Sequence, residues 1–182
     1  MLFEETRIPG AFIVSLDPIR DERGAFSRVF CHEEFNEHGI ANNIAQVNLS
    51  SNRFAGTLRG LHYQLPPSWE TKIVRCIQGA LFDVVVDLRL GSPTFGKWAS
   101  VELSADNERA FVVPEGCAHG FQTLEDETKV LYFVSQPHDS GRERGVSYAD
   151  PDIGIHWPLP VRSISNRDMN QPRFDDAELP EV

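Results

Sequence analysis

In the stretch TLRGLHYQLPP, residues 57–67, a histidine stands between Leu61 and Tyr63, and two prolines close the segment. His62 has three available roles: metal ligand, proton carrier, or packed strand residue. Jelly-roll barrels often hold a metal through two histidines placed two apart, because alternate strand residues share a face and converge on one ion. Here the partner position is Gln64, and LPPSW intervenes before Glu70. A second histidine, His119 in VPEGCAHGF, leaves two imidazoles and an amide, which make a poor shell for a transition metal. No metal is expected at these residues.

Proton transfer needs an orienting partner for the far ring nitrogen of the base and an acid across the substrate. Asp168 in ISNRD and Tyr132 in VLYFV supply candidates for both, although Tyr132 also reads as a core tyrosine whose hydroxyl reaches a carbonyl. Cys117, two residues before His119, reads as a small buried cysteine beside a turn, because nothing around it marks a lowered thiol pKa. Basic residues gather near the same segments: Arg23, Arg28, Arg53, Arg59, Lys72 and Arg75. Arginine grips a diphosphate well through charge-assisted, bidentate hydrogen bonds, whereas a lone exposed arginine is ordinary surface.

These side chains must be carried by short strands. AFIVSL, NIAQVNL, KIVRCIQG, LFDVVVDLR, WASVELS, RAFVVP, GFQTL and KVLYFVS are apolar runs separated by Gly, Pro, Asn and Asp. WASVELS alternates, with Ala99, Val101 and Leu103 on one face, and so predicts a half-buried strand. LFDVVVDL is nearly continuous and predicts a strand inside a sandwich. One short helix is expected over residues 32–39, with Gly39 as its left-handed stop. No other stretch repeats at 3.6 residues, so the expected fold is all-β, an antiparallel jelly roll.

The chain of 182 residues, 41% hydrophobic, fits one domain spanning residues 1–182, with 171–182 an exposed tail. A formal charge of −10 has the wrong sign for nucleic acid or an anionic membrane surface. Three scattered cysteines form no disulfide framework, and the N-terminus lacks the pattern of a signal peptide, so a soluble cytoplasmic protein is expected.

GTLRGLHYQ, KIVRCIQGALFDVVVDLRLGSPTFGKW, VELSADN, VPEGCAHGF and ADPDIGIHWP together resemble the dTDP-4-dehydrorhamnose 3,5-epimerase family, in order and spacing, from about residue 3 to residue 170. The resemblance implies a cupin-type jelly roll (double-stranded β-helix), a homodimer, no cofactor, and a substrate that is a nucleotide-linked 4-keto-6-deoxy hexose. It implies His62 as base, Asp168 behind it, Tyr132 as acid, and Lys72 at the developing enolate oxygen. Gln46, Asn48, Arg59 and His119 match positions lining the sugar and diphosphate site. Arg23 and Phe26 match residues brought to the nucleotide by an N-terminal segment from the partner subunit.

Two departures bear on substrate. Arg28 stands where the family carries an acidic residue after RGxF; a guanidinium cannot accept the imide proton of thymine, which opens a CDP- or GDP-linked substrate as an alternative. Pro137 and His138 replace a tyrosine-bearing segment, so inversion at carbon 3 or carbon 5 alone competes with the double reaction. A metal-dependent cupin, a non-catalytic nucleotide-sugar binder and a 3,4-ketoisomerase are the other classes weighed. Gln64 argues against the first, and the joint presence of His62, Lys72, Tyr132 and Asp168 against the second. The DPDIGIHWP region fits the epimerases better than the third.

Overall fold

The computed structural model describes residues 1–180. In chain order its elements begin with β1 (Leu2–Glu5), β2 (Phe12–Ser15), β3 (Ile19–Asp21), β4 (Gly24–Phe26), α1 (His32–Glu37), β5 (Gln46–Asn52) and β6 (Leu58–Gln64). They continue with β7 (Lys72–Gln78), β8 (Ala80–Asp87), β9 (Trp98–Ser104), β10 (Ala110–Val113), β11 (Cys117–Thr123), β12 (Thr128–Val134), β13 (Glu143–Gly145) and α2 (Asn166–Met169). One antiparallel sheet runs β1-β2-β10-β7-β12-β5, and a second runs β13-β6-β11-β8-β9. The two face each other as a jelly-roll sandwich, and β3 and β4 form a separate hairpin.

The apolar patterns account for the layers. Leu81 and Val85 of β8 point into the space between the sheets with Val74, Val101, Leu103, Phe111 and Val130. Val84 and Val86, on the other face of β8, pack with Leu61, Tyr63 and Ala118 under the C-terminal segment. A strand covered on both faces needs the near-continuous apolar run that LFDVVVDL shows. In β9 the expected alternation holds, with Ala99, Val101 and Leu103 buried.

The expected helix forms over His32–Glu37 with Gly39 at φ +68°, a left-handed stop. Six residues are too few to be stable alone. Phe35, fully buried, holds the helix against Phe12, Val14 and Val112 on the outer face of the six-stranded sheet, a burial worth roughly 1.5–3 kcal/mol.

Residues after β13 cross the outer face of the five-stranded sheet. Gln122 of β11 fixes this crossing from below: its amide donates to the Leu159 carbonyl at 2.8 Å and its carbonyl accepts from the Leu159 N–H at 2.9 Å. Leu58 N–H then donates to Ser163 O at 2.8 Å, which delivers α2 to the flank of β6. The exposed tail expected over 171–182 is corrected through residue 180. Phe174, Ala177 and Leu179 pack on the sheet, and the Tyr63 hydroxyl donates to Glu178 O at 2.7 Å. Residues 181 and 182 lie outside the described residues.

Where β6 meets β11, Gly60 (φ +116°) faces Gly120 beside a register shift. A Cβ on Gly60 would stand 2.5 Å from Gly120 Cα and 2.7 Å from His119 O, so the two backbones approach as only glycines permit. Gly60→Ala is expected to destabilise the fold by at least about 2 kcal/mol, from strain and overpacking together. Chemical denaturation measures this.

Candidate active site

Between β5 and β12 on one side and β6 and β11 on the other, the sandwich interior is polar rather than packed. A cavity of about 160 Å³ is lined by Ser50, Arg59, His62, Lys72, His119, Phe121, Tyr132 and Asp168. An adjoining one of about 340 Å³ adds Gln46, Asn48, Glu70, His138 and Glu143, and the two share His62, Lys72 and Tyr132. On the far side of Arg59 and His62, a groove of about 410 Å³ runs along Ser163, Ser165 and Arg167. The three together form one elongated site.

Strand register sets the opposition of groups. Tyr132 lies across from Asn48 on β5 and Val74 on β7, while Lys72 lies across from Val134, so Tyr132 and Lys72 belong to the six-stranded sheet. His62 and His119 are register partners on β6 and β11 of the other sheet. A molecule in the cavity thus meets imidazoles on one side and a phenol and an ammonium on the other.

His62 Nε2 and Asp168 Oδ1 are 2.7 Å apart, across 106 residues of sequence. Gly60 N–H donates to Asp168 Oδ2 at 3.3 Å, and Ser165 caps α2 by accepting from Asp168 N–H at 3.0 Å. Burial alone would raise the Asp168 carboxyl; the His62 hydrogen bond and charge, the Gly60 amide and Ser165 together hold it below the usual carboxylate range. Such a carboxylate fixes the tautomer and aim of the imidazole. With Nε2 engaged, the other ring nitrogen of His62 is left for a substrate.

His119 carries its own carboxylate: Nε2 lies 2.6 Å from Oδ1 of the fully buried Asp83. Tyr132 is half-buried, and its hydroxyl is held above its ordinary pKa first by burial, partly countered by Arg59 and reinforced by Glu70 and Glu143. It therefore stays protonated at neutral pH, as a proton donor must. No helix among the described residues is long and apolar enough to cross a membrane.

Of the residues named from sequence, His62, Lys72, Tyr132, Asp168, Gln46, Asn48, Arg59, His119 and His138 come together around these cavities. Arg23 and Phe26 do not: they lie on the exposed β3–β4 hairpin, Arg23 paired with Asp21 at 2.6 Å. Arg28 pairs with Glu34 at 3.0 Å, also away from the cavity. Arg75, of the basic cluster, is buried with its guanidinium on Glu108 O and lines neither cavity. Gln64 is spent on loops, donating to Ser68 O at 2.8 Å and accepting from Asp139 N–H at 2.6 Å. Cys117 is buried and its thiol pushed up to about 12 by that burial, which suits an inert core cysteine.

Sequence reasoning missed Asp83, Glu143, Glu70 and Ser50. Asp83 had a signal, one of two carboxylates inside the apolar run LFDVVVDL, the other being Asp87. A charge there requires a buried partner, and His119 is that partner.

The chain is a cupin-type jelly roll that sets a histidine–aspartate pair opposite a half-buried tyrosine across one cavity, and the proteins it resembles are carbohydrate epimerases. The chain matches the family model for dTDP-4-dehydrorhamnose 3,5-epimerase over residues 5–176. The dTDP-4-dehydrorhamnose 3,5-epimerase of Sinorhizobium fredii is 42% identical over 181 residues, 99% of this chain and 92% of its own. The structure of dTDP-6-deoxy-D-glucose-3,5-epimerase from Legionella pneumophila in complex with dTDP-4-keto-L-rhamnose superposes with a TM-score of 0.92 at 35% identity, covering 100% of this chain and 98% of that one. ChmJ, a 3′-monoepimerase from Streptomyces bikiniensis in complex with dTDP-quinovose, gives 0.88 at 36% identity over 97% and 91%. This chain belongs to the dTDP-4-dehydrorhamnose 3,5-epimerase family.

Asp168→Asn is expected to lower kcat about a hundredfold, because the imidazole loses its orienting carboxylate. Its folded-state pKa is depressed, so its contribution to stability is complete above the ordinary value of 3.8 and is lost as pH falls through the lower, folded value. Urea unfolding at stepped pH should show wild type losing stability in that acidic window more steeply than Asp168→Asn.

Proposed function

We propose that this protein is a cofactor-independent epimerase of a dTDP-linked 4-keto-6-deoxy hexose, inverting carbon 3 and carbon 5. The observation that carries this reading is the placement of His62 and Tyr132 on opposite sheets across one cavity, with Asp168 behind His62. The ketone at carbon 4 acidifies the neighbouring C–H bonds. His62 takes the proton, the electron pair of the broken C–H bond moves into an enolate whose oxygen the Lys72 ammonium stabilises, and Tyr132 returns a proton to the opposite face of that carbon. Solvent then resets His62 and Tyr132 for the next cycle. Arg59 serves the diphosphate from its place between the cavity and the outer groove, where its Nε donates to Asn52 Oδ1 at 2.8 Å. His119, held by Asp83, donates toward the sugar.

The whole chain acts as one domain, and it works as a homodimer. Ile19 and Phe26 are 73% and 72% exposed on a hairpin that joins neither large sheet. Val47 and Leu49 are exposed on β5, the edge strand that also carries Asn48. Exposed apolar groups on an edge and a hairpin call for a covering partner. A second copy of the chain would bring Arg23 and Phe26 to the nucleotide. Three unpaired cysteines support a cytoplasmic location.

A second reading, inversion at one carbon only, is favoured by His138. It lines the cavity where the family carries a tyrosine-bearing segment, and its Nε2 lies 3.6 Å from Glu143. Arg28 keeps a CDP- or GDP-linked substrate open in the same sense.

Incubation with dTDP-4-keto-6-deoxyglucose in heavy water, followed by proton NMR, is expected to show deuterium at carbons 3 and 5. Label at one carbon establishes the second reading, and no label refutes epimerisation of this sugar. His62→Ala should abolish exchange, and Tyr132→Phe should slow turnover by about a hundredfold or more. Binding titrations with dTDP, UDP, CDP and GDP should favour dTDP. In sedimentation equilibrium, the double variant Val47→Glu, Leu49→Glu should weaken dimerisation by at least about tenfold relative to wild type.

A further inference from the structure

Most basic side chains around the cavity face a carboxylate, while Arg59 donates to Asn52 Oδ1 instead. Asp168 serves His62 at 2.7 Å, Asp83 serves His119 at 2.6 Å, and Glu143 serves Arg167 at 2.8 Å and His138 at 3.6 Å. Lys72 pairs with Glu70 at 3.1 Å, and among the described residues Glu70 is the carboxylate within ion-pair distance of it. Both side chains are largely withdrawn from water, 11% and 12% exposed, and both line the cavity with Tyr132. An ion pair so placed has a defined geometry that an exposed surface pair lacks.

The backbone fixes that geometry. Thr71, between the two residues, donates its N–H to Ser135 Oγ at 2.8 Å and accepts from Ser135 N–H at 3.1 Å. Ser135 directly follows β12, so the Glu70–Lys72 pair is locked to the strand that carries Tyr132. Lys72 sits across from Val134, two residues along β12 from Tyr132, on the same side of the cavity.

We propose that Glu70 is a positioning residue for the reaction, its carboxylate holding the Lys72 ammonium on the Tyr132 side of the cavity so that the proton donor and the enolate-stabilising cation face the same oxygen-bearing side of the sugar. The proposal rests on the epimerase reading above. The charged and titratable groups facing Lys72 and Tyr132 are Arg59 and His62 from β6, His119 from β11, Glu143 from β13, His138 from the loop before it, Asp168 from α2, and Glu70 itself. Glu70 is the carboxylate that touches Lys72, and its charge also helps keep the Tyr132 hydroxyl protonated. Removing that charge takes away the ion pair that places Lys72 and one support of the protonated Tyr132.

Glu70→Gln keeps the shape and removes the charge. It is expected to lower kcat by about tenfold with KM within about twofold, because Lys72 acts on charge that develops during reaction. The alkaline limb of the kcat–pH profile should move to lower pH, since the Tyr132 phenol loses a neighbouring negative charge. Glu70→Asp, which restores the charge, should bring that limb back toward its wild-type position. In a Lys72→Met background, Glu70→Gln should cost less than about twofold, because a residue acting through Lys72 has nothing left to position. An unchanged or raised kcat in Glu70→Gln, an unmoved alkaline limb, or an equal cost in both backgrounds overturns the proposal. Wild-type protein that washes no deuterium into the keto sugar overturns the underlying reading instead, which separates the two failures.

Discussion

The structure depends on one hydrogen bond, between His62 and Asp168. It joins a strand in the first half of the chain to a four-residue helix near its end, and everything between must arrive in register for it to form. The C-terminal segment is held for this purpose at several depths. Gln122 grips the Leu159 peptide on both sides, Leu58 bonds Ser163, and Ser165 caps the helix so that Asp168 points inward. Gly60 then donates to the second carboxylate oxygen, so the strand that carries His62 also grips its partner.

A sandwich that places His62 and Tyr132 on opposite sheets across a cavity must leave part of its interior unfilled. This chain divides the space. Val74, Val85, Val101, Phe111 and Val130 fill one region as a buried apolar cluster, while Tyr132, Lys72, His62 and His119 take the remainder. Charges in that remainder are tolerable because they are matched in pairs, two imidazoles on aspartates and the ammonium on a glutamate. Preorganised charge of this kind needs no rearrangement when negative charge develops on a substrate oxygen.

Much of this was legible in the residues. The near-continuous LFDVVVDL and the alternating WASVELS announced a strand covered on both faces and a strand half covered, because side-chain period and burial are directly linked in a sheet. Gln64 spoke against a histidine pair on β6, and its carboxamide proved to be tied to loop backbone. What stayed hidden was pairing across distance. Asp83 could be seen as an odd charge in an apolar run, but its match with His119 depends on register between β8 and β11. Glu143 sits on a three-residue strand too short to carry a periodic signal. The docked segment 171–180 is polar in composition, yet Phe174 and Leu179 at spaced positions suffice to hold it on the sheet. Arg75 looked like its neighbours in a basic cluster, and only strand parity separates it from Lys72.

Both walls that frame the mouth of the cavity are margins of their sheets. β5, with Gln46 and Asn48, is the last strand of one, and β13, with Glu143, is the last of the other. A margin has one hydrogen-bonded neighbour, so substitutions there propagate little into the packed region around Val74 and Val85. The residues that line the rim of the cavity and those that fill the core are therefore separable sets. Descent with modification can alter the rim while the strands just inside it, β6 and β12, with the His62 and Tyr132 they carry, stay in place.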